Sequence, residues 1–306
     1  MRGVRCAVDF LYRSDILELL RYKKKMFAYV TLVMLGDEYV KGAKVLAKSL
    51  LASGTPHDTV CMVTRDVSAE AREQLSQLYD SVVEVEYVSY ECPPMLTKRQ
   101  NQMYGQWIEK AFTKWQCLKL LQYEKIIYLD ADHLVVKNID HLFHLKAPAI
   151  CFTDDNYGYY DRLQFGEVIS PDAVATFMRY NKILCKGGTV LFEPDMKLYH
   201  TILNFLNPHN KYLTKSHFHN GFDEQVLLQA LVHLNVPVVQ LSVLYAWNAG
   251  SYYRLCKKQE PYVINYYGDV KPWHFDDKTN QTINYMDVYI WKYFESMNIN
   301  KTVKES

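Results

Sequence analysis

Apolar residues in the N-terminal half alternate between two periods. Phe27–Leu35 is a short apolar run with β-branched residues and reads as a buried strand. Glu38–Leu51 repeats at helical spacing, with Val40, Ala43, Ala47, Leu50 and Leu51 on one face. Thr59–Thr64 reads as a second strand, Val67–Leu78 as a helix and Ser81–Val88 as a third strand. Ser89–Gly105 holds Pro93-Pro94 and few apolar residues, which predicts a loop over the sheet. A helix over Gln106–Leu121 then leads to Lys125–Leu129, a central strand by its apolar character. Further on, Thr189–Phe192, Pro237–Leu241 and Tyr262–Tyr267 read as strands, and Met196–Leu206 and Phe222–Leu234 as helices. Strands alternating with helices imply crossover connections, hence an α/β fold with a mainly parallel, Rossmann-like sheet flanked by helices. No repeat, low-complexity tract or linker divides the chain, so a single domain is expected over residues 26–275.

Composition narrows the classes. Hydrophobic residues make up 49% and charged residues 23% of 306, which excludes disorder. A formal net charge of +1 supplies no basic field for nucleic acid. Seven cysteines stand at 6, 61, 92, 117, 151, 185 and 256, with no Cys-x-x-Cys pair, so a zinc site is not expected. Their odd number and scatter suit a reducing, cytoplasmic setting, in which the sequons Asn280–Thr282 and Asn300–Thr302 are silent. No run approaches the roughly 18 apolar residues that span a membrane. The apolar cluster of Phe10, Leu11, Ile16, Leu17, Leu19 and Leu20 is broken by Asp9, Arg13, Asp15 and Glu18. Residues 1–25 therefore read as an N-terminal extension forming an amphipathic helix, and 276–306 as a C-terminal helical tail. The 25 tyrosines suit either sugar stacking or core packing, and a homodimer is compatible with the composition.

The chemistry concentrates after the central strand, at Asp130-Ala131-Asp132. In open α/β sheets ligands bind beyond the carboxyl ends of the strands. Residues two apart in extended chain project to one side, so these carboxylates stand about 6 Å apart. At that distance they repel by roughly 3 kcal/mol at an effective dielectric of 20, and a hard dication, Mn²⁺ or Mg²⁺, relieves it. A solvated acidic turn is the alternative for this motif taken alone.

The surroundings of that motif carry a resemblance. Phe112–Phe143 (FTKWQCLKLLQYEKIIYLDADHLVVKNIDHLF) is similar to glycosyltransferase family 8, the glycogenin and galactinol synthase group. So are the opening run Tyr29–Leu50 and the closing Gly-x-x-Lys-Pro-Trp signature within Tyr262–Trp273. The resemblance implies a GT-A fold and a retaining hexosyltransferase using Mn²⁺ (or Mg²⁺) and a UDP-sugar, UDP-glucose or UDP-galactose. It gives Asp130 to metal and ribose and Asp132 to metal. Lys271, beside Gly268, goes to the diphosphate, where a Lys point charge stabilises departing UDP. Lys114 and Arg99 become donor contacts, and Leu32 and Tyr39 the uracil loop. Phe222–Leu228 resembles the family's acidic-Gln motif, which sets Glu224 and Gln225 near the anomeric carbon. Gln is a poor nucleophile, so a front-face reaction with Gln225 as a dipolar stabiliser is expected.

Two departures from the family pattern stand out. Lys186-Gly187-Gly188 replaces an Asn-containing triplet; the glycines, Gly188 among them, still allow close approach to a sugar. Asn265 occupies the place of the family's third metal ligand, a His six residues before Lys271, and would ligate through its amide oxygen. His274 stands near enough in sequence to compensate, although a solvent-exposed histidine is the favoured reading. Competing readings are a catalytically weak or inactive GT-A protein that binds carbohydrate or nucleotide-sugar, and a nucleotidyltransferase, whose Gly-rich loop is missing here. Tyr245, Tyr252 and Tyr253 raise self-glycosylation, but nothing in their spacing fixes a reactive geometry. A separate acceptor, whether sugar, polyol or protein, is expected.

Overall fold

The strand β1 (Lys25–Val33) is the axis of the sheet, paired in parallel with β2 (Asp58–Val63) on one side and β4 (Tyr123–Leu129) on the other. The structure is a computed structural model and describes residues 25–94, 97–154, 163–180, 183–214, 221–250, 260–268, 270–275 and 286–299. Alternate residues of β1 go to opposite faces, and both faces are covered. Ala28, Val30 and Leu32 join one core with Ile126 and Tyr128, while Tyr29 joins another with Ile127 and Leu129. A sheet buried on both faces explains why these strands read as continuous apolar runs.

Among the described residues the main sheet has eight strands, in the order β3-β2-β1-β4-β8-β6-β9-β7. Here β3 is Ser81–Glu84, β6 Ala149–Asp154, β7 Val168–Ile169, β8 Ile183–Phe192 and β9 Val238–Gln240. The N-terminal half is parallel throughout, as its alternating pattern predicts. Beyond β4 the sheet is mixed: β8 runs antiparallel to both β4 and β6, and β7 to β9. A second sheet holds β5 (His133–Val135), β10 (Trp247–Asn248) and β11 (Val263–Asn265), with β11 in the middle.

Helices α1 (Val40–Ala52) and α2 (Ala69–Ser76) connect the parallel strands. The others are α3 (Lys98–Tyr104), α4 (Pro171–Tyr180), α5 (Met196–Phe205), α6 (Lys211–Thr214), α7 (Phe222–His233) and α8 (Met286–Ser296). Three segments differ from the sequence expectation. The third strand stops at Glu84 because the backbone beyond it bonds to side chains: Thr113 Oγ1 accepts from the Val88 N–H (3.1 Å) and Gln116 Nε2 donates to Glu86 O (2.8 Å). The helix expected over Gln106–Leu121 is a 3₁₀ helix, Ile108–Lys119, whose residues Ala111 to Leu118 are all buried. The loop expected over Ser89–Gly105 contains α3, whose mostly polar sequence gives no apolar stripe to read.

The helix α8 closes the small sheet. Its Trp291 packs with Val45, Leu134, Ile264 and Tyr266, and the Gly250 N–H donates to Asp287 Oδ2 at 2.7 Å. Within α1, Gly42 allows the closest approach in this region. A Cβ there would meet the Ala131 carbonyl oxygen and lie 2.8 Å from Trp273 Cζ3. Gly42→Ala should therefore destabilise the protein by about 1–3 kcal/mol through overpacking, outweighing about 1 kcal/mol gained in helix propensity. Chemical denaturation of the two proteins checks this; a variant as stable as the parent contradicts the contact.

Candidate active site

The order of the main sheet reverses between β1 and β4: after β1 the chain builds outward to β3, then returns to β4 on the other side. A crevice opens at such a switch point, beyond the carboxyl ends of the two strands. The loop after β1 delivers Tyr39 to it and the end of β4 delivers Asp130 and Asp132. The turn is fixed by its backbone. The Asp130 N–H donates to Gly188 O (2.9 Å), the His133 N–H to Asp130 O (3.0 Å) and the Tyr266 N–H to Asp132 O (3.1 Å). Strand β8 and the loop after β11 thus hold the motif from two sides.

Two lysines balance its charge. Lys271 Nζ lies 2.6 Å from Asp132 Oδ2 and also donates to Tyr266 O at 3.0 Å. Lys114 Nζ stands 3.6 Å from Asp130 Oδ1 and 2.8 Å from Asp223 Oδ2. Burial opposes charge on Lys114, but Asp130 and Asp223 outweigh it and hold its pKa well above the ordinary value. Burial likewise opposes ionisation of Asp132, and Lys271 with His133 overcomes it, so this carboxyl titrates below its usual range. Lys271 also lies over the Tyr39 ring, 5.7 Å from its centre, and Trp273 meets Tyr39 edge-on at 5.3 Å.

Asp130, Asp132 and His133 offer ligand atoms that all lie within 4.8 Å of one another. The set fits a divalent cation on two grounds: two carboxylates converge there, and the buried His133 Nε2 has no hydrogen-bond partner among the described residues. His133, which sequence reasoning missed, faces Asn265 in the antiparallel register of β5 and β11. Asn265 Nδ2 donates to Asn248 Oδ1 (3.3 Å), and Lys186 Nζ donates to the same oxygen (3.3 Å). Asn248 and Asp223 were also missed. The cross-strand pairing that would have exposed His133 and Asn248 is invisible in a linear pattern.

On the far wall, the glycines of β8 face α7. A Cβ on Gly188 would lie 2.7 Å from Asp130 Oδ2, and one on Gly187 would lie 2.9 Å from Glu224 Cγ. Burial and the neighbouring Asp223 raise the Glu224 carboxyl to about 8, against the pull of Lys114. Gln225 is fully buried and neither amide atom has a partner among the described residues.

The remaining expected residues divide. Gly268, with φ +113°, begins the loop that carries Lys271. Leu32 is 7% exposed and its side chain belongs to the core. Arg99 is exposed on α3, and no bond among the described residues ties it to Asp130. His274 does not turn toward the carboxylates: its Nε2 lies 2.6 Å from Glu38 Oε1, which also accepts from Trp273 Nε1 at 3.1 Å. Tyr245 is buried against Tyr262 and bonded to His141 Nε2 at 2.6 Å. Tyr252, Tyr253 and residues 1–24 lie outside the described residues.

Comparisons with known proteins bear on the family and the fold. The sequence model of glycosyl transferase family 8 matches residues 30–277. An uncharacterized protein of Acanthamoeba polyphaga mimivirus is 31% identical over 288 residues, 91% of this chain and 95% of that protein. Glycogenin-1 of Caenorhabditis elegans is 28% identical over 254 residues, 81% of this chain and 51% of glycogenin. Inositol phosphorylceramide glucuronosyltransferase 1 of Arabidopsis thaliana is 30% identical over 256 residues, 80% of this chain and 42% of that enzyme. The chain thus spans about half the length of these two enzymes. A galactosyltransferase, LgtC, solved with donor and acceptor sugar analogs, superposes with a TM-score of 0.54 at 14% identity, over 91% of this chain and 98% of its own. That likeness shows the GT-A fold.

The raised Glu224 carboxyl predicts a pH dependence. Folded protein keeps this proton up to about pH 8, whereas the unfolded chain releases it near 4.5. Its stabilising share is complete below pH 4.5 and is lost as pH rises to 8. Glu224→Gln should therefore gain melting temperature relative to the parent between pH 5 and pH 8 in chelator. A difference that stays flat with pH contradicts a Glu224 that is protonated in the folded protein.

Proposed function

The chain belongs to glycosyl transferase family 8 and is a hexosyltransferase, and from that premise we propose that it moves glucose or galactose from a UDP-sugar to a separate acceptor with retention at the anomeric carbon. The observation that carries this reading is the pair Asp130 and Asp132 at the switch point, with Lys114 and Lys271 converging on them from distant segments. Asp130 and Asp132 would hold Mn²⁺ or Mg²⁺, Asp130 reaching the ribose as well, with the amide oxygen of Asn265 as a neutral donor. A cation bound there neutralises the diphosphate and stabilises it as a leaving group.

The chain's own residues do the rest. Tyr39 stacks on uracil, beside the backbone of Leu32 and with Arg99 as an outer donor contact. Lys271 is held by Asp132 until a diphosphate offers stronger anions, and then stabilises the charge that develops on it. Gly188 and Gly268 let the backbone close on sugar and phosphate. In the transfer, the bond from the anomeric carbon to the phosphate oxygen breaks and a bond to the acceptor oxygen forms on the same face. The acceptor's proton leaves with the departing phosphate. Glu224, neutral and half-buried beside Gly187, lines the sugar pocket without repelling the diphosphate, and the Gln225 amide supplies a dipole near the oxocarbenium-like centre. Packing of Tyr245 in the core favours a separate acceptor over self-glycosylation at that residue. A cytoplasmic setting is supported by five free cysteines among the described residues.

The test is release of UDP from a panel of UDP-sugars with Mn²⁺ present. UDP-glucose or UDP-galactose should be turned over, and Asp132→Asn should lower the rate by about 100-fold or more, in line with loss of electrostatic stabilisation of roughly 3 kcal/mol, while the protein stays folded. Full activity of that variant in chelator contradicts the metal assignment. Donor binding without turnover of any sugar contradicts the transferase reading for this chain.

A further inference from the structure

We infer that His133 is a ligand of the cation held by Asp130 and Asp132, bound through Nε2 as a neutral imidazole. The inference rests on the reading that this site holds a divalent cation, and it adds a nitrogen to an otherwise all-oxygen set.

Three observations converge on that nitrogen. His133 is 1% exposed, and among the described residues its Nε2 has no hydrogen-bond partner, a state that buried polar atoms rarely tolerate without a reason. Its other ring nitrogen, Nδ1, lies 3.2 Å from Asp132 Oδ1. A carboxylate can only accept, so Nδ1 carries a proton, and in the neutral ring Nε2 then presents a lone pair. An imidazole polarised by a carboxylate on one nitrogen is the arrangement that suits metal ligation by the other.

Space and register point the same way. Gly188 stands where a side chain would fill the site: its Cβ would lie 2.7 Å from Asp130 Oδ2 and 2.8 Å from His133 Nε2. A glycine there keeps a side chain out of the interval between those two atoms, and the ligand atoms of Asp130, Asp132 and His133 lie within 4.8 Å of one another. His133 is directly opposite Asn265 in the β5–β11 pair, so the two side chains leave the same face of the small sheet. An imidazole absent from position 265 is therefore supplied by the adjacent strand. The Asn265 amide is anchored through Nδ2 to Asn248, which leaves its oxygen to share that sphere.

A ligand set with an imidazole favours Mn²⁺ over Mg²⁺, which prefers oxygen and water. Pulsed electron paramagnetic resonance of the full chain with Mn²⁺ and UDP reads the ligand directly. The parent should show nitrogen modulation from a coordinated imidazole, altered when its histidines are labelled with ¹⁵N. In His133→Asn the modulation should vanish and Mn²⁺ affinity should fall by about 10-fold or more, with Mg²⁺ affinity less affected. Bound Mn²⁺ that depends on Asp132 but shows no imidazole nitrogen overturns the inference and leaves the cation site standing. Modulation that persists in His133→Asn overturns it too. Absence of any Asp132-dependent Mn²⁺ binding overturns the cation site itself. Should His133→Asn not fold, the labelling of the parent alone decides whether an imidazole is bound.

Discussion

Two carboxylates held within 4.8 Å at the end of one strand repel each other, and the active-site end of this protein is organised around that repulsion. At an effective dielectric of 20 the repulsion amounts to about 3 kcal/mol. The fold meets it from two directions. Lys114 comes from the buried 3₁₀ segment Ile108–Lys119 and is shared between Asp130 and Asp223, whereas Lys271 comes from the loop after β11 and pairs with Asp132. The two pairs differ in character. Lys114 is pinned between two carboxylates and serves as a fixed charge. Lys271 has one carboxylate and one backbone carbonyl, which a stronger anion can replace.

Close backbone approach makes these pairs possible. Gly42 brings α1 onto the Ala131 carbonyl and Trp273, and Gly188 brings β8 onto Asp130 and His133. The small sheet then ties the Asp130–Asp132 end of the crevice to the C-terminal helix, because β5 and β11 carry His133 and Asn265 while α8 packs Trp291 against Leu134 and Ile264. Residues beyond the signature therefore help to set the site. Their part is positional, through the strands they hold.

Much of this was legible in the chain. Apolar runs at Phe27–Leu35 and Lys125–Leu129 gave the central pair of strands because both faces of the sheet are buried, and the aspartates following the second run placed the chemistry. Lys114, Lys271, Tyr39 and Gly188 were reached through motif resemblance; the structure brings Lys114 and Gly188 to Asp130 and Lys271 to Asp132, and sets Tyr39 under Lys271. What could not be read depends on pairing between distant segments. His133 looks like an ordinary strand residue until β5 is laid against β11, and Asn248 lies on a strand of two residues. His274 stood close to the signature in sequence, yet its ring bonds Glu38, because the 3₁₀ turn at Pro272–His274 carries it toward the loop after β1.

The central claim is that Asp130 and Asp132, balanced internally by lysines, exchange part of that balance for a cation and a diphosphate. A crystal grown with UDP and Mn²⁺, measured at the manganese absorption edge, tests it most directly. The account predicts one anomalous peak bridging the two aspartates, with the Lys271 ammonium moved from Asp132 to a phosphate oxygen. A map with UDP bound, no peak at the aspartates and Lys271 still paired to Asp132 would contradict it.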